Sequence, residues 1–250
     1  RIKYPIFMDL WEKQWDQLWR AKEINLVKDR NDYEEMSETE RHVFESNLRW
    51  QTMTDSMLSR SIHKISEYIT NPELELCCNV WAAFETIHSH SYTWVLQNVT
   101  KDATKFFDSI LDNKEIVHRA EQISSSYDKL LGNPTDIKTQ IFDAILNTNI
   151  AEGLSFYTSF ACSFYFGHKG KMEGSVKEIE LIARDEALHV AITQNIFKYW
   201  REREDEGFQQ VLKDNEQKVY DAFGLSVENE KSWADYLFSK GPLLGVNSDS

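Results

Sequence analysis

The chain has 250 residues, 41% hydrophobic and 13% aromatic, enough for one large core, and no shift in composition forces a second domain. Its formal charge of −13 argues against nucleic acid as a direct partner, because a phosphate backbone needs a basic footprint. With only four Pro, nine Gly and long periodic runs that lack strand alternation, the sequence predicts an all-α protein of one domain spanning 1–250.

No run of about 18 apolar residues marks a membrane span and no signal peptide opens the chain, so no membrane partner and a cytoplasmic location are expected. Cys77, Cys78 and Cys162 leave an odd thiol and have no zinc-type spacing, which fits buried thiols in a reducing compartment. The opening Arg1, in place of an initiator Met, reads as a trimmed or incomplete terminus.

In chain order, residues 4–19 carry an aromatic-rich helical stripe that includes Trp11, Trp15 and Trp19, expected to lie across a bundle. Residues 25–33 read as a polar connection. Ser37-Glu38-Thr39-Glu40 forms a capping box that starts a long helix reaching about Ile69, and Asn71-Pro72 breaks it. A second long helix follows over 72–99, then two shorter polar helices at about 103–111 and 114–130 that resemble a surface excursion. Gly132-Asn133-Pro134-Thr135 reads as a turn. A third long helix is expected over 136–166, a fourth over 173–206, and two small helices over 207–223 and 227–239. Four long helices imply a bundle about 40–50 Å long.

The candidate chemistry lies inside that bundle. On the second long helix Glu85 and His88 stand at i and i+3, with Tyr92 one turn beyond, on a face that also carries Trp81, Phe84, Val95 and Leu96. A carboxylate, an imidazole and a phenol facing a core are costly unless they bind something there. The fourth helix repeats the signature with Glu186 and His189, and the other two offer one carboxylate each, Asp55 and Glu152. Two Glu-x-x-His pairs plus two single carboxylates match the pattern of ferritin-like di-iron and di-manganese bundles, with Asp55 standing where that pattern has Glu. Four carboxylates in an apolar core need compensating charge, and two divalent ions supply it. Ligation by oxygen and imidazole without thiolate favours iron or manganese over structural zinc.

Glu85-Thr86-Ile87-His88-Ser89-His90-Ser91-Tyr92 closely resembles the ligand-and-tyrosine segment of the small, radical-generating β subunit of class I ribonucleotide reductase. Ser159-Phe160-Ala161-Cys162-Ser163-Phe164, the Leu181–His189 segment and Trp233-Ala234-Asp235-Tyr236-Leu237-Phe238 extend that resemblance along nearly the whole chain. It implies a ferritin-like fold and a homodimer. It also implies a metal pair, iron first with manganese or mixed Mn/Fe as the alternatives, that reacts with molecular oxygen and oxidises Tyr92 to a stable radical. Phe156, Phe160 and Ile182 match the apolar pocket around that radical. Trp19, Asp185 and His88 match the inner part of a transfer route, with Asp185 holding the His88 imidazole. The partner implied is the large α subunit, where ribonucleoside diphosphates become deoxyribonucleoside diphosphates for DNA replication.

Two features depart from the family pattern. Nothing after Phe238 resembles the tail that docks on the large subunit, so a polypeptide ending at Ser250 is expected to assemble the cofactor without completing turnover. His90 stands where many relatives have Arg, and at i+2 from His88 it points away from the ligand face. The competing readings are a ferritin-like ferroxidase or iron-storage protein, a dimetal hydroxylase or oxidase with its own organic substrate, and a bundle that only binds a partner. Tyr92 with its apolar pocket, Trp19 and the family segments weigh against the first, and the six-ligand set weighs against the last.

Overall fold

Ser37 accepts a hydrogen bond from the Glu40 amide at 3.2 Å while the Glu40 carboxylate accepts one from the Ser37 amide at 2.9 Å, so the predicted capping box starts the first long helix. The computed structural model describes residues 1–132, 135–203 and 206–250. In chain order the helices are α1 (Pro5–Asp16), α2 (Val27–Glu34), α3 (Glu38–Ser66), α4 (Pro72–Val99), α5 (Ala103–Asp108), α6 (Lys114–Leu131), α7 (Ile137–Ile150), α8 (Phe156–His168), α9 (Glu173–Glu202), α10 (Phe208–Asp214) and α11 (Glu216–Leu237). A short 3-10 turn, Ala21–Glu23, lies between α1 and α2, and a π-helical segment, Ala151–Ser155, joins α7 to α8. Among the described residues there is no β-strand, only an isolated bridge between Leu243 and Val246. The all-α expectation therefore holds.

The frame is a four-helix bundle. The short link after α3 returns the chain as α4, and these two pack more extensively than any other pair. The continuous run α7, π segment and α8 forms the third member, and α9 packs against both it and α4. One apolar cluster runs from Phe7 in α1 to Leu243 near the C-terminus, with Trp50, Trp81, Phe84, Phe156 and Phe160 among its fully buried side chains. None of the described helices is long and apolar enough to cross a membrane.

Five sequence readings need correction. The polar connection over 25–33 is largely the helix α2, fastened by buried Asp29, which accepts hydrogen bonds from the Gly174 and Ser175 amides and the Ser175 hydroxyl at the start of α9. The supposed surface excursion includes α6, whose Ile116, Arg119 and Ala120 are buried against α3 and α7. The third long helix is not uniformly α, because residues 151–155 take one wider π turn. The fourth ends at Glu202, short of the expected 206. The last two helices divide at Asn215, and α11 runs straight through the expected break near residue 225. The predicted turn at 132–135 includes residues 133 and 134, which lie outside the described residues.

Candidate metal centre

The metal-ligand candidates arrive on four elements. Asp55 comes from α3, Glu85 and His88 from α4, Glu152 from the π segment, and Glu186 and His189 from α9. α4 starts cleanly because Pro72 occupies its first turn and the Asn71 side chain accepts from the Leu74 amide. Its helical period then turns Glu85, His88 and Tyr92 to the interior together, where the two ligand candidates are fully buried and Tyr92 is 1% exposed. His90, two residues from His88, is exposed, as its position predicts.

The six residues form two overlapping groups. Asp55, Glu85, His88 and Glu186 make one; Glu85, Glu152, Glu186 and His189 make the other; within each, one ligand atom per residue lies within 4.8 Å of the rest. Glu85 and Glu186 belong to both, which is the arrangement two neighbouring cations with shared carboxylates require.

Electrostatics describe a site short of positive charge. Burial raises the Asp55 carboxyl well above its usual range, and the Glu85 and Glu186 charges push it further. Glu152 is raised the same way by burial and then by Glu186 and Glu85. Burial would raise Glu85 too, but the adjacent His189 and His88 imidazoles hold it low. Burial would lower His88, yet its bond to Asp185 and the neighbouring Glu186 and Glu85 carboxylates keep it well above the usual imidazole value. His189 Nδ1 sits 2.8 Å from Glu186 and 3.0 Å from Glu85.

The residues fit a dimetal pair on an observation of their own. Every one of the six buries at least one polar atom with no hydrogen-bond partner: both Asp55 oxygens, Glu85 Oε2, His88 Nδ1, Glu152 Oε2, Glu186 Oε1 and His189 Nε2. Buried polar groups are normally paired, and orphans on every side chain of one cluster, those of the four carboxylates and His88 Nδ1 above all, need a ligand. Hard oxygen and imidazole donors suit iron or manganese.

Around the centre, Trp19 Nε1 donates to Asp185 Oδ2 at 2.7 Å, and His88 Nε2 lies 3.2 Å from the same oxygen. The structure thus joins all three residues of the expected route. Phe156, Phe160 and Ile182 are fully buried, and the two phenyl rings stack at 5.7 Å. A further small cavity of about 10 Å³ touches Tyr92, however, and its apolar lining comes chiefly from Phe44, Leu48, Val95, Phe166, Met172 and Ile179.

Sequence reading also missed Trp81 and Arg184. The Trp81 indole donates to Glu85 Oε1 at 2.9 Å and Glu152 Oε1 at 3.2 Å, so a residue counted as apolar bulk aims two carboxylates. Arg184 holds the other Asp185 oxygen at 3.0 Å and donates to the Gln17 carbonyl beyond α1, tying Trp19's segment to α9. The i−4 spacing of Trp81 from Glu85 was a signal available in the sequence.

The family model described as "Ribonucleotide reductase, small chain" matches residues 1–250. The ribonucleoside-diphosphate reductase 1 subunit beta of Escherichia coli O157:H7 is 40% identical over 271 residues, covering 99% of this chain and 72% of that protein. A ribonucleotide reductase R2 subunit from Clostridium botulinum superimposes with a TM-score of 0.92 at 27% identity, covering 100% of this chain and 77% of that one. An R2-like ligand-binding oxidase solved with an aerobically reconstituted Mn/Fe cofactor shares the fold at a TM-score of 0.73 and 16% identity, covering 95% of this chain and 82% of that one.

Proposed function

Because the chain belongs to the ribonucleotide reductase small-chain family, we propose that its buried centre holds two metal ions and that Tyr92 stores the radical of a ribonucleoside-diphosphate reductase. The chain is a small subunit of that oxidoreductase, and members of the family work with a large subunit. In this reading residues 1–250 form one ferritin-like domain, which assembles as a homodimer in the cytoplasm. This sets the storage reading aside.

Asp55, Glu85, His88, Glu152, Glu186 and His189 hold the ions, with Glu85 and Glu186 shared. Iron is the first choice and manganese or a mixed pair the alternative, since the donors accept either. When bound and reduced, such a pair supplies the electrons that activate oxygen and the oxidising power needed at Tyr92.

The protein's own contribution is placement and dryness. Tyr92 faces Asp55 without completing a hydrogen bond of good geometry, so its phenol has a carboxylate to receive the proton and no competing donor. Burial, with the nearby Asp55 and Glu186 charges, holds the phenol far above its ordinary pKa, so it loses a proton only as it loses an electron. Phe156, Phe160 and Ile182 exclude water. His88, Asp185 and Trp19 provide a hydrogen-bonded path outward, in which Asp185 keeps the imidazole oriented and its Nδ1 turned to the centre.

The observation carrying this reading is the orphaned polar atom on each of the six side chains. Metal analysis and electron paramagnetic resonance on one sample test it: ferrous protein exposed to oxygen should hold two metal ions per chain and show a tyrosyl signal. A metal-free aerobic sample, or a signal that survives in Tyr92→Phe, would defeat it.

A further inference from the structure

A π turn inside an α-helix inserts one residue, which is unfavourable unless surrounding groups hold it. Here the turn ends at Ser155, and Arg119 of α6 donates to the Ser155 carbonyl through Nη2 at 3.0 Å. The same guanidinium donates to Glu230 Oε2 of α11 through Nη2 at 2.8 Å, and its Nη1 lies 2.8 Å from Glu230 Oε1 as an ion-pair contact. It lies against two neighbouring indoles, 4.2 Å from the Trp50 ring centre and 4.9 Å from that of Trp233. Arg119 is 6% exposed and Glu230 9%.

This cage also holds the turn that follows. Trp50 packs on Phe156 at 4.9 Å, and Trp233 Nε1 donates to Ser159 Oγ at 3.4 Å. A buried ion pair is weak evidence for stability, because apolar replacement of both partners is often neutral. Its geometry supplies a better reason. A planar fork that ties α6, α11 and the π segment together fixes the register of that segment, and Glu152 lies less than one turn before Ser155.

We propose that Arg119 is a positioning residue: with Glu230 it locks the π turn that carries Glu152, and thereby sets the affinity of the metal position built on Glu85, Glu152, Glu186 and His189. This rests on the two-metal reading above. The other position, on Asp55, Glu85, His88 and Glu186, draws nothing from the π segment, so the effect is asymmetric.

Manganese(II) titrated into the metal-free full chain, followed by calorimetry and electron paramagnetic resonance, tests this. The parent should take up two ions and show the spectrum of a coupled pair. Arg119→Lys keeps the charge but loses the fork; the double variant Arg119→Met, Glu230→Met removes the pair without stranding a charge. Both should bind one ion as the parent does and the second about 10- to 100-fold more weakly, with the spectrum moving toward isolated manganese. Should the lysine variant fail to fold, the double variant decides. A folded variant with both affinities unchanged, or both weakened alike, overturns the role of Arg119 while leaving the two-metal reading intact. A parent that binds fewer than two ions overturns both.

Discussion

Tyr92 and Glu178 border the same small cavity, and neither side chain makes a hydrogen bond to the protein. For Tyr92 this means that removing the hydroxyl strands no partner. Tyr92→Phe should leave metal content and thermal stability near parental values, within about 1 kcal/mol, while the tyrosyl resonance disappears; thermal melts and spectra on the same preparation check both halves. Glu178 is the opposite case, a carboxyl that burial, helped by the Asp29 charge, pushes up to about 9 from an ordinary 4.5. Between those two values the folded chain keeps a proton that the unfolded chain releases, so this residue makes stability fall as pH rises through the window. Glu178→Gln should therefore match the parent near pH 4.5 and exceed it at pH 8 by as much as several kcal/mol, since each tenfold difference in proton affinity between the two states is worth about 1.4 kcal/mol. Melting curves at both pH values read this directly, and a gap that widens toward acid would contradict it. Glu178 was not legible as unusual in the sequence: on a helix rich in Glu and Lys, only the folded structure shows that it is buried, on the same cavity wall as Phe44 and Met172.

Elements were legible where their signals are local. The capping box at Ser37, the Asn71-Pro72 start of α4 and the repeated Glu-x-x-His are all readable within a few residues, and the structure keeps each of them. What escaped depends on partners far along the chain or on a shift of one residue. α2 has little apolar periodicity, and its anchor, Asp29, bonds to amides 145 and 146 positions away. The π turn looks like ordinary helix in the sequence, because adding one residue to a turn does not disturb an apolar run of this length. Gly224 lies at the expected break between the last two helices, but open space surrounds it and α11 passes through. Gly174, by contrast, is a required contact. A β-carbon there would meet the Asn25 carbonyl oxygen at 2.5 Å and Leu26 Cδ2 at 2.8 Å. Gly174→Ala should pry the α2 segment from α9 and destabilise the fold by about 1–3 kcal/mol, the usual cost of overpacking. Denaturant unfolding measures the loss, and faster amide exchange at Gly174 and Ser175 would place it at this junction. An unchanged midpoint would show that the two segments separate freely.

At the scale of the whole molecule, the bundle concentrates four carboxylates and two imidazoles at zero exposure, an arrangement that opposes folding unless cations join it. Binding to the folded chain alone must then stabilise it, by about 2.7 kcal/mol for a site filled at 100 times its Kd. Manganese(II) or ferrous ion should raise the melting temperature, and a chelator should reverse the rise. The two overlapping groups make this prediction sharper than a general metal effect. Glu186 belongs to both groups and Asp55 to only one. Glu186→Ala should therefore abolish nearly all of the metal-induced shift, whereas Asp55→Ala should retain the part contributed by the group around Glu152 and His189. The metal-free helical content of both variants, read by circular dichroism, should equal that of the parent. That second readout separates a lost ligand from a damaged core, which would lower the metal-free value as well. Equal losses of the metal shift in the two variants would mean that Glu85 and Glu186 do not join two positions, and the centre would have to be redrawn as a single site.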